Sequence, residues 1–511
     1  MFFKLHSFTL MGIDALNVCV EVHISRGMPE FIIVGLPGKA VNESRQRVRS
    51  AIINSGFNFP IKKIIVNLSP ADIKKDGSFY DLPIALSILA VSGQIKSDMF
   101  KGSYFIGELS LDGSINSVRG LISMAERARS SGGKFFFVPY SVANQASFIS
   151  DINIIACKNL LEVVEALSSD KQTERFIYKS TGATGKNNCC DLDFKDVKGQ
   201  LKAKRALEIA VSGRHNIMLI GPPGSGKTML AQRVVSIMPE LGLKECIEVT
   251  KIYSLYQKYV NHLIWQRPFR NPHHTVSRMG LIGGGIIPKP GEISLAHKGL
   301  LFLDEFSQFP KNLIEDLRQP LENRKVIITR NNMSYSFPCN FMLIVATNPC
   351  YCGYFGDGSK RCICSLREVK KFWKKMSGPI MDRIDMRVTV ARLPESSFIK
   401  TEDSESSDNI RKRIKKCMVV QKERFKCANI NYNSEIGTNI INQWLKSSKK
   451  IRDLIYTISK KYNLTARGMV SILKVSRTIA DLEESEIIKD SHIIEAVQYR
   501  VGYNQDNIIC I

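Results

Sequence analysis

The residues with the most chemistry in them are Gly221-Pro222-Pro223-Gly224-Ser225-Gly226-Lys227-Thr228. Their spacing, Gly-x-x-x-x-Gly-Lys-Thr, is that of a phosphate-binding loop. The glycines at 221, 224 and 226 let successive backbone N–H groups turn toward one anion, Lys227 is expected to reach the terminal phosphates, and Thr228 is expected to reach a Mg²⁺ ion. Farther along, the apolar run Leu300-Leu301-Phe302-Leu303 ends in Asp304-Glu305. Asp304 is expected to hold that Mg²⁺, directly or through water, and Glu305 to orient or deprotonate the attacking water. Another apolar run, Phe341 to Thr347, ends in Asn348, which is placed to help position the water. The chemistry predicted is hydrolysis of ATP with Mg²⁺.

These groups need elements to carry them. Ile217 to Ile220 reads as a short buried strand entering the loop, and Leu230, Val234, Ile237 and Met238 recur behind it at helical spacing. The phosphates would therefore also sit at a helix N-terminus, whose partial positive charge favours anions. A fully apolar strand ending in carboxylates is expected at the centre of a parallel sheet, with its C-terminal end toward the nucleotide.

Upstream, residues 1–168 alternate strand-like and helix-like patterns and predict a separate α/β domain. Strands are expected around Val18–Ile24, Phe31–Val34, Ile64–Leu68 and Phe135–Val138, and helices over Asn42–Ser55, Pro83–Ser92 and Leu121–Arg129. Phe105-Ile106 and Ile115 are expected to flank an Asp112-Gly113 turn. Residues 169–190 are polar and glycine-containing, as in a linker. The nucleotide-binding domain is expected over 191–395, a second, acidic linker over 396–410, and a helical lid over 411–511.

Composition bounds the function. The 511 residues are too many for one core and, at 44% hydrophobic, are those of a globular protein. The sequence contains no long uncharged apolar run and no basic-then-apolar N-terminal segment, so a soluble, cytoplasmic protein without a membrane role is expected. Thirteen cysteines suit reduced thiols better than a disulfide framework. The net charge of +24 points to a polyanionic partner, most simply DNA, although an AT-rich genome also enriches lysine. Cys350, Cys352, Cys362 and Cys364 are the one cysteine cluster. They can hold Zn²⁺ tetrahedrally or stand as reduced structural or regulatory thiols, because Cys-x-Cys spacing settles neither.

Several stretches carry a family resemblance. Ile33-Val-Gly35-Leu36-Pro37-Gly38-Lys39-Ala40-Val41, Asn67-Leu-Ser-Pro-Ala-Asp72 and Asp76-Gly77-Ser78-Phe79-Tyr80-Asp81-Leu82-Pro83 resemble the N-terminal domain of the YifB/ComM family of magnesium-chelatase-like AAA+ ATPases. Arg267-Pro-Phe-Arg270-Asn-Pro-His273-His274-Thr275, Gly283-Gly-Gly285 and Pro290-Gly291-Glu292 match the same family. The resemblance implies a Lon-protease-like (ribosomal S5 domain 2-like) α/β domain, an AAA+ P-loop domain with a parallel sheet, and a C-terminal helical lid. Lys75-Asp76-Gly77 matches the Lon proteolytic motif, but Phe79 stands at the nucleophile's place, which argues against peptidase activity.

Within that family Asn348 corresponds to the sensor-1 residue. Ser377-Gly-Pro-Ile-Met-Asp382-Arg383 resembles the arginine-finger segment, and Leu464-Thr-Ala-Arg467 resembles the sensor-2 segment; for either arginine a surface ion pair is the alternative. The family implies a homo-oligomer, a hexameric ring, that migrates branched DNA during recombination or transformation, with a hairpin lining its pore. Arg267, Arg270 and Lys289 would then follow a nucleic-acid backbone or merely pack subunits. The basic run Arg411 to Lys426 is a solvated helix face or a second DNA contact. A chelatase-type metal-insertion motor and a nucleotide-gated scaffold remain as rivals.

Overall fold

The chain begins with two long strands, β1 (Phe2–Met11) and β2 (Asp14–Ser25), paired antiparallel from Phe2↔His23 to Met11↔Asp14. In β2 the alternation seen in the sequence is realised: Val18, Val20 and Val22 are fully buried, and the intervening residues face outward. In this computed structural model the described residues are 2–168, 170–179, 192–256, 262–286, 288–330, 333–358, 360–376, 378–392, 404–426 and 430–501. Much of the linker expected at 169–190 and of the acidic one at 396–410 lies outside them, as does Ser377.

The chain forms two compact units. One comprises Met1–Lys186, Gly242–Trp265 and Thr329–Phe337, and the other Asn187–Leu241, Gln266–Ile328 and Pro338–Ile511. Two stretches from within 191–395 thus belong with the N-terminal unit.

The N-terminal unit is built on a seven-stranded sheet. Its other strands are β3 (Glu30–Val34), β4 (Lys63–Ser69), β5 (Ser103–Phe105), β6 (Phe135–Pro139) and β7 (Asn153–Cys157), in the order β3-β4-β2-β1-β5-β6-β7. The pairs β1–β2 and β2–β4 are antiparallel and the rest parallel. The helix Asp81–Val91 is buried almost all round, as expected of a helix that is hydrophobic on every side, and it packs on β1 and β2. The turn expected at Asp112-Gly113 is present, with Gly113 at φ +86° and Asp112 accepting from the Ser114 N–H. Its strands differ from the expectation: Ile115 pairs with Leu109, not with Phe105, which is taken into the large sheet beside β6. A buried aromatic gains more from a central strand, where Phe105 stacks on Phe137 at 4.7 Å, than from a short hairpin. The residues that resemble the Lon proteolytic motif are each engaged elsewhere: the Lys75 ammonium donates to the Pro70 carbonyl and the Ser78 hydroxyl to the Glu108 carboxylate.

The second unit carries a five-stranded, all-parallel sheet. Its strands are β8 (Ile217–Ile220), β9 (Phe269–Arg270), β10 (Leu300–Leu303), β11 (Met342–Thr347) and β12 (Met386–Thr389), in the order β9-β10-β11-β8-β12. Every residue of β8, β10 and β11 is buried, which is why these strands read as unbroken apolar runs. Because the strands are parallel and in register, Ile217↔Ile344 and Phe302↔Ile344, their C-terminal ends fall on one edge. After Ser407 the chain is chiefly helical: Ser407–Arg424, Thr438–Ser447, Lys449–Tyr462, Ala466–Leu482 and Asp490–Val501. Among the described residues no helix is long and apolar enough to cross a membrane.

Candidate active site

At the shared edge, three strand ends deliver the residues singled out by their chemistry. β8 runs into the loop 221–226, β10 into Asp304-Glu305, and β11 into Asn348. Gly226, at φ +86°, turns the loop directly into the helix Lys227–Ile237, a left-handed backbone position that suits glycine. A cavity of about 450 Å³ opens here, lined by Pro223 to Met229, Asp304, Glu305 and Ala346 to Asn348.

Lys227 is buried, and its ammonium donates to the carbonyls of Gly221 and Pro222, both at 2.8 Å, with Asn348 Oδ1 at 3.4 Å. Burial pushes the Lys227 pKa down, opposed by the charge of Asp304. The Thr228 hydroxyl donates to Asp304 Oδ2 at 2.6 Å, so the two groups expected at Mg²⁺ already share one point. A hydroxyl and a carboxylate oxygen beside backbone N–H groups at a helix start fit a hard divalent cation carried by phosphates. Glu305 has a left-handed backbone, φ +48°, and a mostly exposed carboxylate. Such a conformation is costly outside glycine and is found where a side chain must be aimed.

One neighbour of this site was not assigned a role from sequence. His274, just beyond the end of β9, places Nδ1 3.6 Å from Glu305 Oε2, and its ring lies tilted against that of His273 with centroids 4.1 Å apart. The signal available was positional: β9 lies beside β10, so the loop leaving β9 must pass the carboxylates at the end of β10.

Arg383 and Arg467 do not line this cavity. They meet at a second one, of about 180 Å³, where both guanidiniums hold the single carboxylate of Glu322. Burial would raise the Glu322 pKa, but its bonds to Arg467 and Arg383 outweigh that and keep it ionised. Arg383 is driven below its ordinary value by burial and by the charge of Arg467, and its buried Nε has no hydrogen-bond partner. The two guanidiniums thus share one carboxylate, and the wall also carries Arg214, Arg324 and Lys474 with Asp382, Asp385 and Glu435, the last paired with Arg324 at 2.6 Å.

The basic residues expected to follow a nucleic-acid backbone are placed differently from one another. Arg267 is buried and donates to the carbonyls of Pro239 (2.5 Å) and Lys298 (2.6 Å), so it is a structural cation. Arg270 makes a two-pronged pair with Glu292 at 2.6 and 2.7 Å. Lys289 is exposed in a short ladder that pairs Gly283-Gly284 with Lys289-Pro290. In the basic helix Ser407–Arg424, Arg411 donates to the Ser236 carbonyl, Arg413 pairs with Glu208 and Glu405, and Arg424 pairs with Asp481. Cys350, Cys352, Cys362 and Cys364 come together with all four sulfurs within 4.8 Å of one another.

A parallel sheet presenting a phosphate loop, an acidic pair and a polar strand end on one edge defines an ATP-binding module of the AAA+ class. The chain matches the family described as "Magnesium chelatase, subunit ChlI" over residues 193–398, and the related "Subunit ChlI of Mg-chelatase" and "Magnesium chelatase, subunit ChlI C-terminal" over 20–142 and 404–500. It is 41% identical over 501 residues to the competence protein ComM of Haemophilus influenzae, spanning 97% of this chain and 96% of that protein. To YifB of Escherichia coli it is 38% identical over 497 residues, again 97% and 96%. A shorter similarity, 28% over 143 residues and 26% of each chain, is to Lon protease 2 of Bacillus subtilis. The chain belongs to the YifB/ComM family of magnesium-chelatase-like AAA+ ATPases.

Proposed function

We propose that this protein is a DNA-dependent ATPase whose subunits form a ring, a hexamer, and that each ATP site is completed by Arg383 and Arg467 of the adjacent subunit. The observation that carries this reading is the placement of both arginines on Glu322, in a cavity separate from that of their own phosphate loop. Two arginines held on one carboxylate can turn to the charge that develops on a transferred phosphoryl group. An arginine supplied across a boundary accelerates such transfer by roughly 10³ to 10⁵, or about 4 to 7 kcal/mol of barrier. Within the chain, Glu305 orients the attacking water, Asn348 positions it, and Lys227 neutralises the terminal phosphate; Thr228 and Asp304 would hold Mg²⁺, which would supply further charge neutralisation.

Each turnover would move exposed loops such as that carrying Lys289 along DNA, driving branch migration of recombination intermediates in the cytoplasm. The relative ComM is named for competence, and integration of incoming DNA is the role this reading assigns here. The net charge of +24 supports a polyanionic substrate. The likeness to a Lon protease favours this reading over a chelatase-type metal-insertion motor. The test is ATP hydrolysis and binding with forked, three-stranded and four-way DNA. Hydrolysis is expected to rise with DNA, and log affinity to fall linearly and steeply with log salt. A flat salt response removes backbone tracking.

A further inference from the structure

The four cysteines sit at a place where they bear on the ATP site. Cys350 follows Asn348 by two residues, and the loop that leaves it folds back on the phosphate loop. Gly353 has φ +86°, and a Cβ built there would lie 2.7 Å from Cδ of Pro223, with Asn348 Cγ at 3.8 Å. The other side of the loop is pinned as well: Trp373 Nε1 donates to the Pro349 carbonyl at 3.0 Å, and the Tyr351 ring packs edge-on against Phe372 at 5.1 Å. Asn348 thus directly follows the buried strand β11 and begins a loop whose far end is a knot of sulfurs.

The sulfurs have the geometry of a metal site and not of disulfides. Cys350 Sγ lies 3.3 Å from Cys352 Sγ and 3.7 Å from Cys362 Sγ, and Cys352 Sγ lies 3.4 Å from Cys362 Sγ. A disulfide requires about 2.05 Å between its sulfurs. In a tetrahedral zinc site with Zn–S near 2.3 Å, the sulfurs are about 3.8 Å apart. Backbone N–H groups point at them too: Cys352 N donates to Cys364 Sγ at 3.4 Å, and the backbone of Gly353, Tyr354, Phe355 and Ile363 hydrogen-bonds to the sulfurs of Cys350 and Cys352. Such donors stabilise thiolates and orient them, as the surroundings of metal ligands do. The Cys-x-Cys spacing, which alone left the question open, is accommodated because the two pairs approach from opposite ends of a loop.

We propose that Cys350, Cys352, Cys362 and Cys364 bind one Zn²⁺ that clamps the loop after Asn348 against Pro223, so that occupancy of the metal site sets the affinity of the phosphate loop for nucleotide. The metal has no part in hydrolysis. All four ligands would be cysteine sulfurs, the closed ligand set of a structural zinc. The coupling half of this inference rests on the nucleotide-site reading above, whereas the metal half does not.

The experiment uses the full-length protein purified under reducing conditions. Elemental analysis should give about one zinc per chain, and exchange for Co²⁺ should produce thiolate-to-cobalt charge transfer with the intense visible bands of a tetrahedral site. Cys362→Ser and Cys364→Ser, on partly exposed sulfurs, should lose those bands. Removal of zinc from the wild type by a chelator should weaken binding of a fluorescent ATP analogue by about tenfold, and zinc readdition should restore it. Reversibility in the wild type separates the clamp from a variant that fails to fold. A reduced protein that takes up neither zinc nor Co²⁺ overturns the site. A metal that comes and goes with no change in nucleotide affinity overturns the clamp. If zinc is bound but ATP is not, even in the loaded protein, the nucleotide reading fails and the metal site stands.

Discussion

Lys227 holds its ammonium against the carbonyls of its own loop and must leave them when a phosphate arrives. Lys227→Ala should therefore abolish nucleotide binding, read by the fluorescence of an ATP analogue. Glu305→Gln should leave binding intact and slow turnover by about 10²-fold or more, the scale of a lost general base, trapping ATP on the protein. At the second cavity Asp385 titrates far from its ordinary value. Burial would raise it, but His215, 3.7 Å away, together with Lys474 and the Ser471 hydroxyl, outweighs that and holds the carboxyl down to about 2. A depressed carboxylate stabilises the fold at every pH above its unfolded value and loses that contribution as pH falls from about 4 toward 2. Asp385→Asn should cost about 2 kcal/mol at neutral pH, and the difference in thermal stability between wild type and variant should close as the pH falls through that window. A difference independent of pH would assign Asp385 no electrostatic role.

At the scale of elements, the sequence was most readable where a strand is buried on both faces. β8, β10 and β11 are unbroken apolar runs; β8 leads into the phosphate loop, and the residues directly after β10 and β11, Asp304 and Asn348, line the nucleotide cavity. Reading failed where a side chain's fate is decided by partners distant in sequence. Arg267 sits in a glycine- and proline-rich stretch that looks like a surface loop, yet it is buried on carbonyls from Pro239 and Lys298. Phe105 looks like a hairpin residue, and its real partner is Phe137. β1 shows no clean alternation and was not anticipated, because Ser7 and Thr9 are buried on it beside Phe8. The convergence of Arg383 and Arg467 on Glu322 brings together three segments that no local pattern connects. These placements separate two basic residues of similar appearance. Arg267→Ala should destabilise the protein by about 2 to 3 kcal/mol through loss of charge-assisted hydrogen bonds, with no change in the salt slope of DNA binding. Lys289→Ala should leave the melting temperature alone and reduce that slope by about 1. The reverse assignment in a salt titration would return Arg267 to the DNA surface.

For the whole molecule, the proposal turns on the split between the two cavities. One chain holds a complete phosphate loop and a pair of arginines that do not line it, and the proposed reading has a neighbouring copy supply them. The most direct measurement mixes two variants, each inactive alone: Lys227→Ala, which keeps its arginines, and Arg383→Ala, which keeps its phosphate loop. In mixed rings roughly a quarter of the boundaries join an intact loop to an intact arginine, and ATP hydrolysis should reappear at about that fraction of the wild-type rate. If hydrolysis stays at the level of the separate variants when they demonstrably co-assemble, Arg383 acts within its own chain, and the account of a site completed by its neighbour is wrong.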